Sequence, residues 1–287
     1  MVEDLVRARG PFSLRESMRL VGDATRRFNG RIFVCLFELD GRLERAACWQ
    51  ETDGAVALRA VSEESLERLK GVLPLERDHS EFLRRFADDE LLRRTIRLLR
   101  GKRPLRLDTV THALVRAVCG QLIESSRARR IEQRLIRATC PTDGLLYAAP
   151  TSKAFSDFAP AALQRFDLSA RKAATIVRLC RTLDLERLRD VTPAGAAQRL
   201  ERERGLGPWS VGVIGLEGLG CYDFGLVGDL GLVKLCTALL GRRAEPEDTA
   251  DLLARYGEWQ GLASVYLLAG FARGLLPVDY ERRPVAA

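Results

Sequence analysis

Two short stretches of the chain combine residue types that can do chemistry. In "CYDFGLVGDLGLVKL", residues 221–235, Asp229 stands among apolar residues and glycines. A buried carboxylate is expensive unless it is paired or used. Asp229 would also serve as the N-cap of a helix over "LGLVKLCTALL", and a capping aspartate can still face a cleft. Asp223 is a weaker rival and reads as a loop residue. The other stretch is "RERGLGPWSVG", residues 202–212. The preceding "TPAGAAQRLERERG" reads as a helix with Arg202 and Arg204 near its end and Gly205 beyond it. Pro208 falls where a second helix should begin, since its missing N–H costs nothing there. Gly205 and Gly207 are both expected to reach positive φ and to leave their amides uncovered. A tight helix–turn–helix corner of this kind suits a phosphate, although such turns also serve simply to join two packed helices.

The rest of the composition narrows the chemistry. Only two histidines occur, His79 and His112, and neither has a partner motif. The seven cysteines (35, 48, 119, 140, 180, 221 and 236) show no C-x-x-C spacing. They read as small buried hydrophobes in a reducing compartment rather than as ligands of zinc or an iron–sulfur cluster. Catalysis, if present, rests on carboxylates. The 46 Lys plus Arg against 39 Asp plus Glu give a net charge of +7, with arginine greatly outnumbering lysine, which favours a polyanionic partner. No apolar run approaches 18 residues, and the acidic start "MVEDLVRARGPFS" does not read as a signal peptide. No membrane association is expected, and the location expected is cytoplasmic.

These residues must be held by elements of two kinds. "RIFVCLFELDGRLERAACWQETDGAVALRAV", residues 31–61, contains three β-rich runs separated by Asp40-Gly41 and Asp53-Gly54, both strong hairpin signals. Helical patterns cover "SLRESMRLVGDATRRF" (13–28), "SEESLERLKGVL" (62–73) and "SEFLRRFADDELLRRTIRLLRG" (80–101), with Ser62 and Ser80 as expected N-caps. The basic linker "GKRPLRL" closes this part. Beyond residue 108 only helical segments punctuated by Pro and Gly are found, among them "THALVRAVCGQLIESSRARRIEQRLIRA" (111–138). The expected class is α+β: an N-terminal α+β domain over residues 1–107 and an all-α region over residues 108–287.

The hairpin "GLGPWSVG", followed by "GDLGLVK", resembles the helix-hairpin-helix DNA glycosylase superfamily, and within it the alkylbase glycosylases of the AlkA type (DNA-3-methyladenine glycosylase II). The resemblance covers nearly the whole chain. "PFSLRESMRLV" and the sheet after it look like that family's N-terminal domain, and "LVRAVCGQLIESSRA" resembles its central helix. "FAPAALQRFDLSARKAATIVRLC" and "WQGLASVYLL" resemble later segments. The resemblance implies two helical subdomains flanking a DNA cleft, with Asp229 as the catalytic aspartate. It implies that Gly205, Gly207 and Ser210 hold a DNA phosphate. Leu122, beside Gln121, is implied to fill the gap left by a flipped nucleotide, while its spacing from Val118 also suits the core. Trp209, Val213 and Leu268 are implied to line the substrate pocket, although Trp209 also fits a plain core position.

The implied activity is base excision repair of duplex DNA by removal of alkylated purines of the 3-methyladenine and 7-methylguanine type. The damaged base must first leave the stack. It already carries positive charge, and one carboxylate can stabilise the oxocarbenium-like sugar left behind. Superfamily members that also cut the strand carry a Schiff-base lysine two residues past the second hairpin glycine. Trp209 occupies that position, and no lysine occurs between Lys172 and Lys234, so no lyase activity is expected. No cofactor is implied beyond a monovalent cation at the hairpin, and a monomer acting at the bacterial nucleoid is expected. The chain departs from the family at Val213, which replaces a pocket tyrosine, and near Leu268 and Gln260, which stand for a tryptophan and an arginine. Leu226 replaces a usual proline. Two other readings therefore stay open: a glycosylase for oxidised or deaminated bases, and a non-catalytic module that binds damaged DNA.

Overall fold

The computed structural model describes residues 1–18 and 23–278. The three β-rich runs form β3 (Phe33–Leu39), β4 (Arg42–Gln50) and β5 (Val56–Ala60). Two strands not expected from the sequence, β1 (Val2–Val6) and β2 (Arg26–Phe28), complete an antiparallel sheet of order β1-β5-β4-β3-β2. Asp40 and Gly41 have φ of 48° and 79° between the paired Leu39 and Arg42, the two-residue turn whose twist matches the strands it joins. The helical pattern expected over 13–28 is only partly met. Helix α1 covers Leu14–Met18, residues 19–22 lie outside the described residues, and "RRF" instead pairs with β3. Strand pairing at the sheet edge overrides a helical spacing there.

Helix α2 (Glu63–Val72) begins with a capping box between Ser62 and Ser65. Ser80 is not an N-cap. It is the first residue of α3 (Ser80–Arg85), whose cap position is His79. The pattern over 80–101 splits into α3 and α4 (Arg93–Leu98), because the Asp89 carboxylate accepts the Leu91 and Leu92 N–H groups and starts a new turn. The pattern over 111–138 likewise splits into α5 (Val110–Gly120) and α6 (Ser125–Thr139).

Further along come α7 (Ser152–Ser156), α8 (Pro160–Gln164), α9 (Ala170–Thr182), α10 (Pro193–Glu201) and α11 (Pro208–Val213). Helix α11 runs into a π-helical turn, Ile214–Leu219. The last three helices are α12 (Leu230–Leu240), α13 (Pro246–Ala254) and α14 (Gln260–Ala272). After residue 108 the described residues contain no strand, only an isolated bridge between Thr142 and Tyr147. Together the sheet and these helices make an α+β fold.

Apolar burial falls into two clusters. One lies between the sheet and α1 and α2, and includes Phe33, Phe37, Leu58 and Leu69. The other runs from Phe82 to Leu276 and takes α3 and α4 together with the later helices. Six of the seven cysteines are buried, and Cys140 is half-buried. A buried polar network connects the sheet to the helices. Arg116 on α5 donates to Glu132 at 2.9 Å, to Asp23 at 2.7 Å and to Glu217 at 2.5 Å. Arg26 on β2 also donates to Asp23, at 2.9 Å. His112 is 2.8 Å from Glu132. Asp23, His112 and Glu132 bring three potential ligand atoms within 4.8 Å of one another, but Arg116 supplies the cation to both carboxylates.

Candidate functional site

Asp229 is the N-cap of α12, half-buried, with both carboxylate oxygens engaged. Oδ1 accepts the N–H groups of Gly231 at 2.8 Å and Leu232 at 3.4 Å. Oδ2 accepts the indole Nε1–H of Trp209 at 3.1 Å. The structural and chemical readings of Asp229 are therefore compatible, since the cap fixes one oxygen and the hairpin tryptophan orients the other. Asp223 is exposed and lies in a loop.

The hairpin places Trp209 two residues beyond its second glycine. Gly205 has φ 94°, as expected. Gly207 does not follow the expectation of positive φ. It sits at φ −109° and ψ 178° as the N-cap of α11, the extended conformation required of a residue before proline. Close packing also distinguishes the two glycines. A Cβ on Gly205 would come within 2.5 Å of the Thr175 hydroxyl, whereas one on Gly207 would meet nothing within 4 Å. No side chain caps α11, so its first-turn N–H groups have no intrahelical acceptor.

Gln121 and Leu122 follow α5 directly. The Gln121 side-chain amide donates to Gly205 O at 2.8 Å and to Ser210 Oγ at 3.0 Å. Ser210 is buried, and its hydroxyl oxygen accepts from Gln121. Leu122 is 94% exposed at φ 57°. The core position suggested by its spacing from Val118 is not the one it takes. The Trp209 ring lies against Gly120, where an added Cβ would come within 2.5 Å of it. Leu122, Gln121, the hairpin, Trp209 and Asp229 thus form one continuous assembly. Of the remaining expected pocket residues, Leu268 is half-buried and packs on Gly231 beside Asp229. Val213 is buried in the helical core. Gln260 opens α14 with its side chain against Gly225.

Three supporting side chains escape a motif-based reading. From α9, Lys172 donates to the carbonyls of Cys119 at 3.1 Å and Gln121 at 2.8 Å. Thr175 packs under Gly205. Arg178 donates to Glu203 at 2.7 Å and to Arg204 O at 2.6 Å. Their spacing of three along a helix is the signal that could have found them. Elsewhere, a groove of about 860 Å³ between α3 and α4 is lined by Arg84, Arg93, Arg94, Arg97 and Arg100. It includes none of the residues above.

No protein-family model matches the chain. A DNA-3-methyladenine glycosylase from Bacillus subtilis is 23% identical over 216 residues, covering 71% of each chain. Among solved structures, the 3-methyladenine DNA-glycosylase from Archaeoglobus fulgidus superposes with a TM-score of 0.81 at 20% identity. That match covers 94% of this chain and 98% of the other. The chain has the fold of the helix-hairpin-helix glycosylases. The 8-oxoguanine glycosylase/lyase from Clostridium acetobutylicum shares the fold, with a TM-score of 0.72 at 18% identity and coverage of 92% and 95%. Among the described residues no helix is long and apolar enough to cross a membrane.

Proposed function

We propose that this helix-hairpin-helix glycosylase-fold chain is a monofunctional DNA glycosylase of base excision repair, acting as a monomer on alkylated purines in duplex DNA. The observation that carries the reading is the unbroken run of contacts from Leu122, through Gln121 and the hairpin, to Trp209 and Asp229. The named activities of the Bacillus and Archaeoglobus proteins support it. The hairpin and the start of α11 grip backbone phosphate irrespective of sequence. Leu122 enters the stack as the damaged nucleotide turns out, and Trp209 and Leu268 flank the extruded base. The glycosidic bond then breaks with its electron pair leaving on the base, so a cationic alkylated purine departs neutral. The Asp229 carboxylate stabilises the positive charge left at the sugar. Water adds there and gives up a proton, producing an abasic site. The reaction draws on no cofactor.

An oxidised-base substrate is the second reading, since the fold is also that of an 8-oxoguanine glycosylase/lyase. Trp209 weighs against its strand-cutting form. The Lys172 ammonium is committed to two carbonyls, and Lys234 is exposed on α12. Incubation with methylated duplex DNA and chromatography of the released bases tests the proposal. Release of 3-methyladenine or 7-methylguanine, with strand breaks only after alkali and no adduct trapped by borohydride, is the expected result. Release of oxidised bases alone favours the second reading. Binding without release of any base points to a damage-binding module.

A further inference from the structure

Leu122 adopts a left-handed conformation that is unfavourable for any residue with a side chain, and it does so almost fully exposed. Packing of its own side chain therefore does not hold it there. One peptide plane fixes its path. The orientation of the Gln121–Leu122 peptide depends on ψ of Gln121, 124°, and φ of Leu122, 57°, so holding its carbonyl oxygen constrains the two together. That oxygen accepts from Lys172 Nζ at 2.8 Å, and the same ammonium also binds Cys119 O at 3.1 Å. Both are carbonyls that the end of α5 leaves without helical partners, at the pole where a cation is favoured. The backbone bond that closes the turn, Ile123 N–H to Gly120 O, is long at 3.5 Å.

We propose that Lys172 is a positioning residue for Leu122, clamping the Gln121–Leu122 peptide so that leucine projects outward while the Gln121 side chain reaches the hairpin. The inference rests on the reading of Leu122 as the group that fills the space of an extruded nucleotide. Lys172 sits at the third position of α9, whose Ser169 cap accepts its N–H at 3.4 Å, so the stem of the clamp is itself anchored. Burial pushes the Lys172 ammonium pKa down, a cost consistent with a cation held for its hydrogen bonds.

The test compares affinity for a duplex carrying a stable abasic-site analogue with affinity for the same undamaged duplex. Fluorescence of a 2-aminopurine beside the gap reports insertion. Lys172→Met should reduce the preference for the gap about tenfold and suppress the fluorescence change, and Leu122→Ala should do the same. Lys172→Arg, which keeps donors on a long stem, should recover most of both signals. If Lys172 acts through Leu122, Lys172→Met should cost nothing further in the Leu122→Ala background. Additive losses, or full preference in Lys172→Met when Leu122→Ala has lost it, would overturn the clamp. Full preference in Leu122→Ala would overturn the reading of Leu122 itself, and the clamp with it. Thermal unfolding accompanies each variant. Should Lys172→Met not fold, Lys172→Gln decides by the same two measurements.

Discussion

The Trp209–Asp229 bond carries a specific consequence at the scale of single residues. Asp229 Oδ1 is held by the N-terminus of α12, so Trp209 Nε1 is the group that orients Oδ2. Trp209→Phe keeps an aromatic face and removes only that donor. It should lower the single-turnover excision rate on the order of tenfold, with duplex affinity unchanged, because a loosened carboxylate is misplaced relative to the sugar. A variant with full rate would confine Trp209 to packing. Asp229 is legible in the sequence because a lone carboxylate among glycines and aliphatics is conspicuous, and because a cap and a cleft residue can be the same group. Its bond to Trp209 is not legible. The two are 20 residues apart, and only the route of the chain after α11 brings them together. Leu122 teaches the opposite lesson, for its spacing from Val118 predicts burial, while the chain leaves the helix at Gln121 and turns it outward.

At the scale of elements, the hairpin separates two glycines that look alike in sequence. Gly205 needs its φ of 94° and its contact with Thr175, so Gly205→Ala should destabilise the fold by roughly 1–3 kcal/mol and weaken binding through a displaced turn. Gly207→Ala meets no strain and open space. Its stability should stay within about 0.5 kcal/mol, while the added methyl obstructs backbone approach and weakens binding to all duplexes alike. Urea denaturation and salt-dependent binding curves check both. Loss of affinity for one sequence alone would contradict a backbone grip. A Gly-x-Gly pattern predicts a turn but not which glycine is left-handed, and the proline after Gly207 is the local rule that decides. The breaks within 80–101 and 111–138 are harder to read. One depends on the Asp89 carboxylate capping the next turn, the other on Gln121 reaching across to the hairpin.

Across the whole molecule, the segment read as a basic linker is in fact a buried tie. Arg103 is fully buried and donates to the carbonyls of Arg9, Pro11, Pro74 and Leu75 and to His79 Nδ1. Sequence could not show this, because its acceptors come from separate parts of the chain. His79 in turn presents Nε2 to Arg100 O at 3.0 Å, so it is held as the neutral ring. Burial, with Arg103 adjoining, pushes its pKa from the ordinary 6.5 down to about 4. Between these values the unfolded chain takes up the proton and the folded one does not, so stability is complete above about 6.5 and is lost as pH falls toward 4. The urea midpoint should drop over this window and drop less in His79→Gln. An identical slope in the two proteins would mean that His79 does not set the acid sensitivity. The class and the order of the two kinds of element are legible from turn dipeptides and apolar spacing, whereas the edge strands β1 and β2 depend on partners supplied by the rest of the sheet.

In the proposed function Asp229 performs the chemistry while the hairpin and Leu122 hold the DNA. Asp229→Asn tests it most directly, assayed for alkylated bases released from methylated duplex DNA alongside affinity for the same duplex. Asparagine keeps the shape and an acceptor oxygen for the α12 cap but lacks the negative charge. Base release should be lost almost completely, with affinity unchanged within a few-fold. Excision at the wild-type rate by the folded variant would contradict it, and would move the chemistry to another group, with Asp223 the first to be replaced.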